Sequence, residues 1–256
     1  MKLTAITREV SPSMEACELT HLERRTIDIA RAREQHAAYC DCLRELGADM
    51  ITLPPAPDFP DAVFVEDPAV VLNEAAIMTR LGAESRRGET ESLARELAKY
   101  RPLAWMKAPA TLDGGDVMRA GRTLFVGLSA RTNAAGIQQL ASESGRFGYR
   151  VQPVAVHGCL HLKSGVSYLG EDTVLIHRPW VDAAAFDGLK LVDVPQGEQE
   201  GANVLAINGV ILVTAGFPKT ARRIELLGRR VRVLDNSELR KAEGALTCCS
   251  LLLAMR

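Results

Sequence analysis

Three things the sequence lacks narrow its reading before any motif is considered. No apolar segment approaches membrane-spanning length, and the start, Met1-Lys-Leu-Thr-Ala-Ile-Thr-Arg8, is not sustainedly apolar, so neither a membrane span nor a signal peptide is expected. Net charge is also missing. The 31 Lys and Arg against 32 Asp and Glu leave −1, which offers no basic surface to nucleic acid or to an anionic membrane. The six cysteines (Cys17, Cys40, Cys42, Cys159, Cys248 and Cys249) contain no Cys-x-x-Cys pair and sit mostly in apolar segments, so reduced thiols are expected rather than a disulfide framework. These absences together describe a soluble, cytoplasmic protein whose 256 residues suit one large core or two small ones. A single domain over residues 1–256 is expected.

What is present is a recurring order. Residues 29–47 carry apolar side chains at helical spacing (Ala32, His36, Tyr39, Cys40, Leu43), with Gly47 as the cap, and the strand Met50–Leu53 follows, stopped by Pro54-Pro55. Val70 to Thr79 reads as a hairpin around Asn73-Glu74, then a helix to Tyr100 and a strand at Leu103 to Met106. The order returns: a hairpin at Asp116 to Val126, a helix at Asn133 to Arg146, a strand at Tyr149 to Val156. It returns again from Gly165, with a short helix near Ala183 and a strand at Leu189 to Val194. A fourth copy starts at Asn203 and turns at Asn208-Gly209, where both positions tolerate positive φ. A fifth hairpin begins near Leu246, and Ala245 to Met255 reads as one buried strand.

Hairpins spaced roughly 40–50 residues apart signal a repeat architecture. The fifth unit lacks its helix and last strand, whereas the N-terminus has a helix and strand with no hairpin before them. Joining the two ends closes a ring of five ββαβ units in which no terminal unit is left exposed. The competing interpretation is an ordinary mixed α/β sandwich with coincidental spacing.

Polar residues gather just ahead of each hairpin: Val65-Glu-Asp-Pro68, Leu112-Asp-Gly-Gly-Asp116, Leu160-His-Leu-Lys-Ser164, Gly201-Ala-Asn203 and Leu246-Thr-Cys-Cys249. In a ring, equivalent positions lie at similar height around one axis, so Asp67, Asp113, His161, Asn203 and Cys248 should converge. A cysteine and a histidine can do nucleophilic and general acid–base work. Carboxylates at Asp61, Glu66, Asp67 and Asp113 suit a planar cation with several N–H donors, and Arg86, Arg87 or Arg131 could hold a carboxylate at its far end. Such a site fits an arginine-like molecule better than a nucleotide.

Each piece also has a plainer explanation. Glu66-Asp67 could be surface charge, and Glu84 to Glu89 a solvated turn before a helix. Gly114-Gly115 could simply make a tight turn, and Cys248 could be inert core filling. His157, Cys159 and His161 share a strand face, but no fourth ligand for a structural zinc is apparent. Of the vicinal pair, one thiol should face the pocket and the other the core.

With these residues in view, the chain resembles the dimethylarginine dimethylaminohydrolase family of the amidinotransferase (guanidino-group-modifying) superfamily. The resemblance rests on Phe59-Pro-Asp-Ala-Val-Phe-Val-Glu-Asp-Pro68, Ser85-Arg-Arg87, Thr111-Leu-Asp-Gly-Gly-Asp116, Ser129-Ala-Arg-Thr-Asn133, Leu160-His-Leu-Lys163 and Thr247-Cys-Cys-Ser250. It implies a five-bladed α/β propeller and a hydrolase that converts Nω-methylated arginines to citrulline through a covalent cysteine intermediate. It implies Cys248 as nucleophile, His161 as general acid and base, and Asp113 as their acidic partner, at a position that is glutamate in some members. Asp61, Glu66 and Asp67 match residues around the guanidinium, Arg86 and Arg131 those at the amino-acid end, and Leu19 a leucine on a mobile lid in Met14-Glu-Ala-Cys-Glu-Leu-Thr20. No cofactor is implied, and no metal beyond an inhibitory zinc at Cys248 and His161. The expected partner is a small molecule, with a homodimer as the assembly considered. Arginine deiminases have similar chemistry but carry Asp where this chain has Lys163. The alternatives are a hydrolase of another guanidine, such as arginine, and a non-catalytic binder of arginine-like ligands.

Overall fold

The computed structural model describes residues 2–255. Strand β1 (Lys2–Arg8) is followed by helix α1 (Ile29–Glu45) and strand β2 (Ala48–Leu53). Asp28 starts α1 by accepting the Arg31 N–H, which satisfies one of the donors a helix leaves open at its first turn. Next come β3 (Ala69–Val71), β4 (Ala76–Met78), α2 (Thr90–Leu97) and β5 (Leu103–Trp105). The same order recurs in β6 (Val117–Ala120), β7 (Thr123–Leu128), α3 (Ala134–Gly145) and β8 (Arg150–Ala155). A single helical turn, α4 (Leu162–Gly165), leads into β9 (Val166–Gly170) and β10 (Thr173–Ile176). The crossover to β11 (Lys190–Asp193) holds two short 3-10 helices, Arg178–Trp180 and Ala183–Phe186. Strands β12 (Val204–Ile207) and β13 (Val210–Thr214) turn at Asn208 and Gly209, whose φ values of 45° and 78° are what a tight hairpin needs. Helix α5 (Pro218–Leu226), β14 (Arg230–Leu234), α6 (Ser237–Arg240) and β15 (Leu251–Met255) complete the chain.

Among the described residues the strands form five three-stranded sheets, each an antiparallel pair extended by a parallel third strand. The fold is a five-bladed α/β propeller, which removes the mixed-sandwich alternative. The closing blade corrects the sequence reading. Its hairpin is split between the chain ends: β15 pairs with β1, Ala254 opposite Leu3 and Leu251 opposite Ile6, and β1 continues into β2. The sequence reading leaves β1 unassigned, because its antiparallel partner lies at the other end of the chain and no hairpin turn joins the two. The buried strand read over Ala245 to Met255 is also shorter, since a 3-10 turn at Thr247–Cys249 precedes β15.

Side chains alternate across every blade, and each face meets a different neighbour. On β7, Leu124 and Val126 pack toward β4 while Phe125 packs toward β10. On β13, Ile211 and Val213 face β10, and Val210 and Leu212 face α1. On β1, Ala5 joins the cluster that includes β13, and Ile6 joins the one that includes β4. Among the described residues the interior is therefore five clusters, one between each pair of adjacent blades, rather than one or two cores. Each fully buried Leu, Ile or Val contributes roughly 1.5–3 kcal/mol, so every blade-to-blade seam adds to stability, the one around α1 being the most extensive. No helix among the described residues is long and apolar enough to cross a membrane.

Candidate active site

The segments ahead of the five hairpins are tied to one another in a circle. Gly114 N–H donates to the Asp67 carbonyl (2.8 Å), and Leu162 N–H donates to Asp116 Oδ1 (2.8 Å). Asn203 Nδ2 donates to the Lys163 carbonyl (2.9 Å) and to Thr247 Oγ1 (3.0 Å). Thr247 Oγ1 donates to Glu66 Oε2 (2.9 Å), and Glu66 N–H donates to the Cys248 carbonyl (3.1 Å). Every blade is thus bonded to the next at the axis, which fixes the height of each functional side chain.

On one side of this circle Asp61, Asp67, Arg86, Arg131, His161 and Cys248 line a common cavity. The sulfur and the imidazole that the sequence placed together do share it. His161 Nε2 lies 3.1 Å from Asp113 Oδ2, and the other oxygen of Asp113 accepts the Gly82 N–H (2.9 Å). Asp67 accepts from Gly115 N–H (3.0 Å) and from Arg86 Nη1 (2.8 Å). Gly115 is obligatory by proximity: a Cβ there would sit 2.6 Å from His161 Nδ1 and 2.8 Å from Asp67 Oδ1. Asp61 accepts the Glu18 N–H (3.0 Å).

The arginines differ in what they have left to give. Arg86 is neutralised by Asp67 and by a two-pronged bond to Glu89, both at 2.9 Å. Arg131 donates Nη2 to Thr20 Oγ1 (3.0 Å), while its buried Nη1 has no hydrogen-bond partner and lies 3.9 Å from Asp113 Oδ2. Arg87 is turned away, toward the Leu81 carbonyl and Glu84. Glu66 does not line this cavity. Its carboxylate pairs with Lys163 and Thr247 and borders a second, wider cavity across the circle. Asn203 ties loops together rather than facing the thiol, and Leu19 packs against the α1 cluster while its neighbours Glu18 and Thr20 make the polar contacts.

Burial pushes the Cys248 thiol up to about 12, and the nearby Glu66 and Asp67 carboxylates add to it. His161 moves the other way from what burial alone would give. Desolvation disfavours its cation, but Asp67, the bond to Asp113 and the charge of Asp116 outweigh it and raise the imidazole to about 9. At neutral pH the pair rests as thiol and imidazolium. Its partner Cys249, one position along the same turn, is buried in the apolar cluster around α1.

Asp67, Asp113 and His161 are the one group of potential metal ligands that comes together among the described residues; neither cysteine nor His157 belongs to it. These groups suit a proton better than a metal. His161 would have to lose its proton, and Arg86 already holds Asp67. Sequence reasoning overlooked Asp116, which accepts from Ser129 (2.6 Å), Thr132 (2.7 Å) and the first N–H of α4. The second acid of the Asp113-Gly-Gly-Asp116 motif was its signal. It also overlooked Glu18, Thr20 and Glu243, which lie on irregular or turn backbone with no periodicity to betray them.

A family model described as N,N dimethylarginine dimethylhydrolase, eukaryotic, matches residues 11–201. An N(G),N(G)-dimethylarginine dimethylaminohydrolase from Streptomyces coelicolor is 41% identical over 251 residues, covering 97% of this chain and 96% of that one. The structure of the Pseudomonas aeruginosa enzyme of that name, a cysteine-to-serine variant complexed with citrulline, superposes with a TM-score of 0.94 at 35% identity, covering 99% of this chain and 100% of the other. A histidine-to-glycine variant of a dimethylarginine dimethylaminohydrolase, as an adduct with S-methyl-L-thiocitrulline, superposes with a TM-score of 0.93 at 36% identity, with the same coverage.

Proposed function

The chain belongs to the dimethylarginine dimethylaminohydrolase family, and from that premise we propose how its cavity acts on a methylated arginine. The protein is a hydrolase of Nω-methylated arginines that yields citrulline and a methylamine. The observation that carries the residue assignments is the shared cavity, whose wall brings together a thiol, a protonated imidazole, carboxylates and a buried arginine with an open donor.

We assign Asp61 and Asp67 to the substrate guanidinium, while Asp113, fully buried behind His161, orients the imidazole. Arg131, whose Nη1 is free to donate, anchors the substrate α-carboxylate; Arg86, already paired, keeps Asp67 in place. Glu66 supports the Cys248 turn through Thr247 rather than touching substrate, and Leu19 seats the segment that covers the site. A guanidinium bound beside Cys248 brings a positive charge next to a thiol that burial and two carboxylates hold protonated, so substrate itself favours loss of the thiol proton, which leaves to solvent because His161 already carries its own. The thiolate adds to the guanidinium carbon. His161 then protonates the departing nitrogen, the C–N bond breaks, and an S-alkylthiouronium remains on Cys248. Neutral His161 takes a proton from water, the resulting hydroxide adds to the same carbon, and collapse expels the thiolate, which takes up the adduct's surplus hydroxyl proton as the urea of citrulline forms.

The relatives supply chemically matched precedents: a cysteine-to-serine variant held citrulline, and a histidine-to-glycine variant formed an adduct with a thiocitrulline. We further propose that residues 1–256 act as one catalytic domain, in the cytoplasm, as a homodimer. The deciding assay scores citrulline from asymmetric dimethylarginine, monomethylarginine and arginine side by side. Product from the methylated substrates is expected; citrulline from arginine alone would move the activity to a deiminase.

A further inference from the structure

Space in the cavity is scarce: about 10 Å³ is open to the centre of a water molecule, about one water's worth. An arginine-sized ligand enters only if something lifts. The stretch between the 3-10 turn at Met14–Ala16 and α1 supplies Glu18 to the cavity wall and is the candidate cover; it has no regular structure and is solvent-exposed from Thr20 to Thr26. Near α1 it is tied by Lys241 Nζ donating to the Thr26 carbonyl (3.0 Å) and by Asp28 N–H donating to Glu238 (2.9 Å), and at its other end Ser85 Oγ donates to Glu18. Two further ties, Asp61 to Glu18 N–H and Arg131 to Thr20 Oγ1, use residues assigned to substrate.

At its exposed middle the stretch is held by Glu243. Its carboxylate accepts three consecutive backbone N–H groups of the cover, from Thr20 (3.0 Å), His21 (2.5 Å) and Leu22 (2.7 Å). Glu243 also stands in an unexpected place. The chain after α6 closes with Gly244 N–H on the Leu239 carbonyl and Glu243 N–H on the Arg240 carbonyl, the paired bonds of a Schellman cap. In that cap the residue Glu243 occupies adopts left-handed backbone and is usually glycine; here φ is 57° with a long charged side chain. A non-glycine residue kept in this conformation marks a place where the side chain matters more than local ease. The carboxylate satisfies three donors at once, five residues before Cys248.

We propose that Glu243 is the positioning residue that latches the cover over Cys248, so that access to the thiol depends on breaking its bonds to Thr20, His21 and Leu22. This rests on the reading of the cavity as the amidine-hydrolase site, but it concerns the gate and not the chemistry. Glu243→Gly separates the two demands, because glycine suits the left-handed cap while removing the latch.

The test is made on ligand-free protein. In Glu243→Gly the amides of Thr20, His21 and Leu22 should lose exchange protection, and iodoacetamide should alkylate Cys248 at least about tenfold faster, three bonds to a charged acceptor having been removed. The acceleration should be the same factor at every pH, because access changes and thiolate fraction does not. Thermal stability should hold or rise. Glu243→Gln, which keeps one carbonyl oxygen as an acceptor, should fall between the two proteins. Exchange and alkylation within twofold of the parent would overturn the latch. So would acceleration accompanied by lowered stability and equal loss of protection throughout α1, which would mark general loosening. Neither readout uses turnover, so a protein that made no citrulline would defeat the functional reading and leave this inference standing.

Discussion

At the scale of single residues, the chemistry turns on two displaced protonation equilibria: burial pushes Cys248 up to about 12, while Asp67, Asp113 and Asp116 overcome burial to raise His161 to about 9. Alkylation of Cys248 in the ligand-free protein should therefore be slow at pH 7 and climb about tenfold per pH unit through pH 9. A plateau below pH 8 would mean a resting thiolate. The histidine also makes a stability prediction. Its folded value of about 9 lies above the ordinary 6.5, so its contribution is fully present below pH 6.5 and is lost as pH rises through about 9. The melting temperature should fall across that window, and the fall should shrink in His161→Gln. The sequence made Cys248, His161 and Asp113 legible as a group only because each stands ahead of a repeated hairpin. Glu243 stayed hidden because a Glu-Gly pair after a short helix looks like any cap, and its partners are backbone N–H groups that no side-chain pattern reveals.

Turns, rather than strands, place the chemistry at the next scale up. Cys248 rides a 3-10 turn and His161 opens α4, each just before an inner strand. The apolar run around Cys248 could not reveal that turn, since buried turn and buried strand share one composition. The separation of the two thiols did follow from sequence, although the turn and not strand alternation produces it. Close packing of these turns makes Gly115 sensitive. Gly115→Ala would drive a methyl into His161 Nδ1 and Asp67 Oδ1, so it should cost about 1–3 kcal/mol of stability. It should also lower kcat/KM by about 100-fold through misplacement of the imidazole. Denaturant unfolding and steady-state kinetics check the two effects; wild-type kinetics would show that the imidazole tolerates displacement.

Across the whole molecule, function depends on a circle that the chain closes with its own ends. The repeat was legible from the spacing of turn residues and helical patches, because each blade carries its own hairpin and crossover. The closure was legible as a need but not as a pairing, since β1 and β15 are separated by nearly the full sequence. Ile6 sits at that seam, fully buried between β15 and β4. Ile6→Ala should cost about 2–5 kcal/mol by denaturant unfolding, whereas Leu226→Ala, at a position 71% exposed, should stay within about 0.5 kcal/mol. Equal effects would detach stability from the ring. The most direct measurement of the central claim is acid-quenched mass spectrometry during turnover of asymmetric dimethylarginine. The peptide bearing Cys248 should gain the mass of the substrate less dimethylamine, and that adduct should vanish in Cys248→Ser together with citrulline formation. Undiminished citrulline formation with no adduct on Cys248, or from the serine variant, would contradict the account.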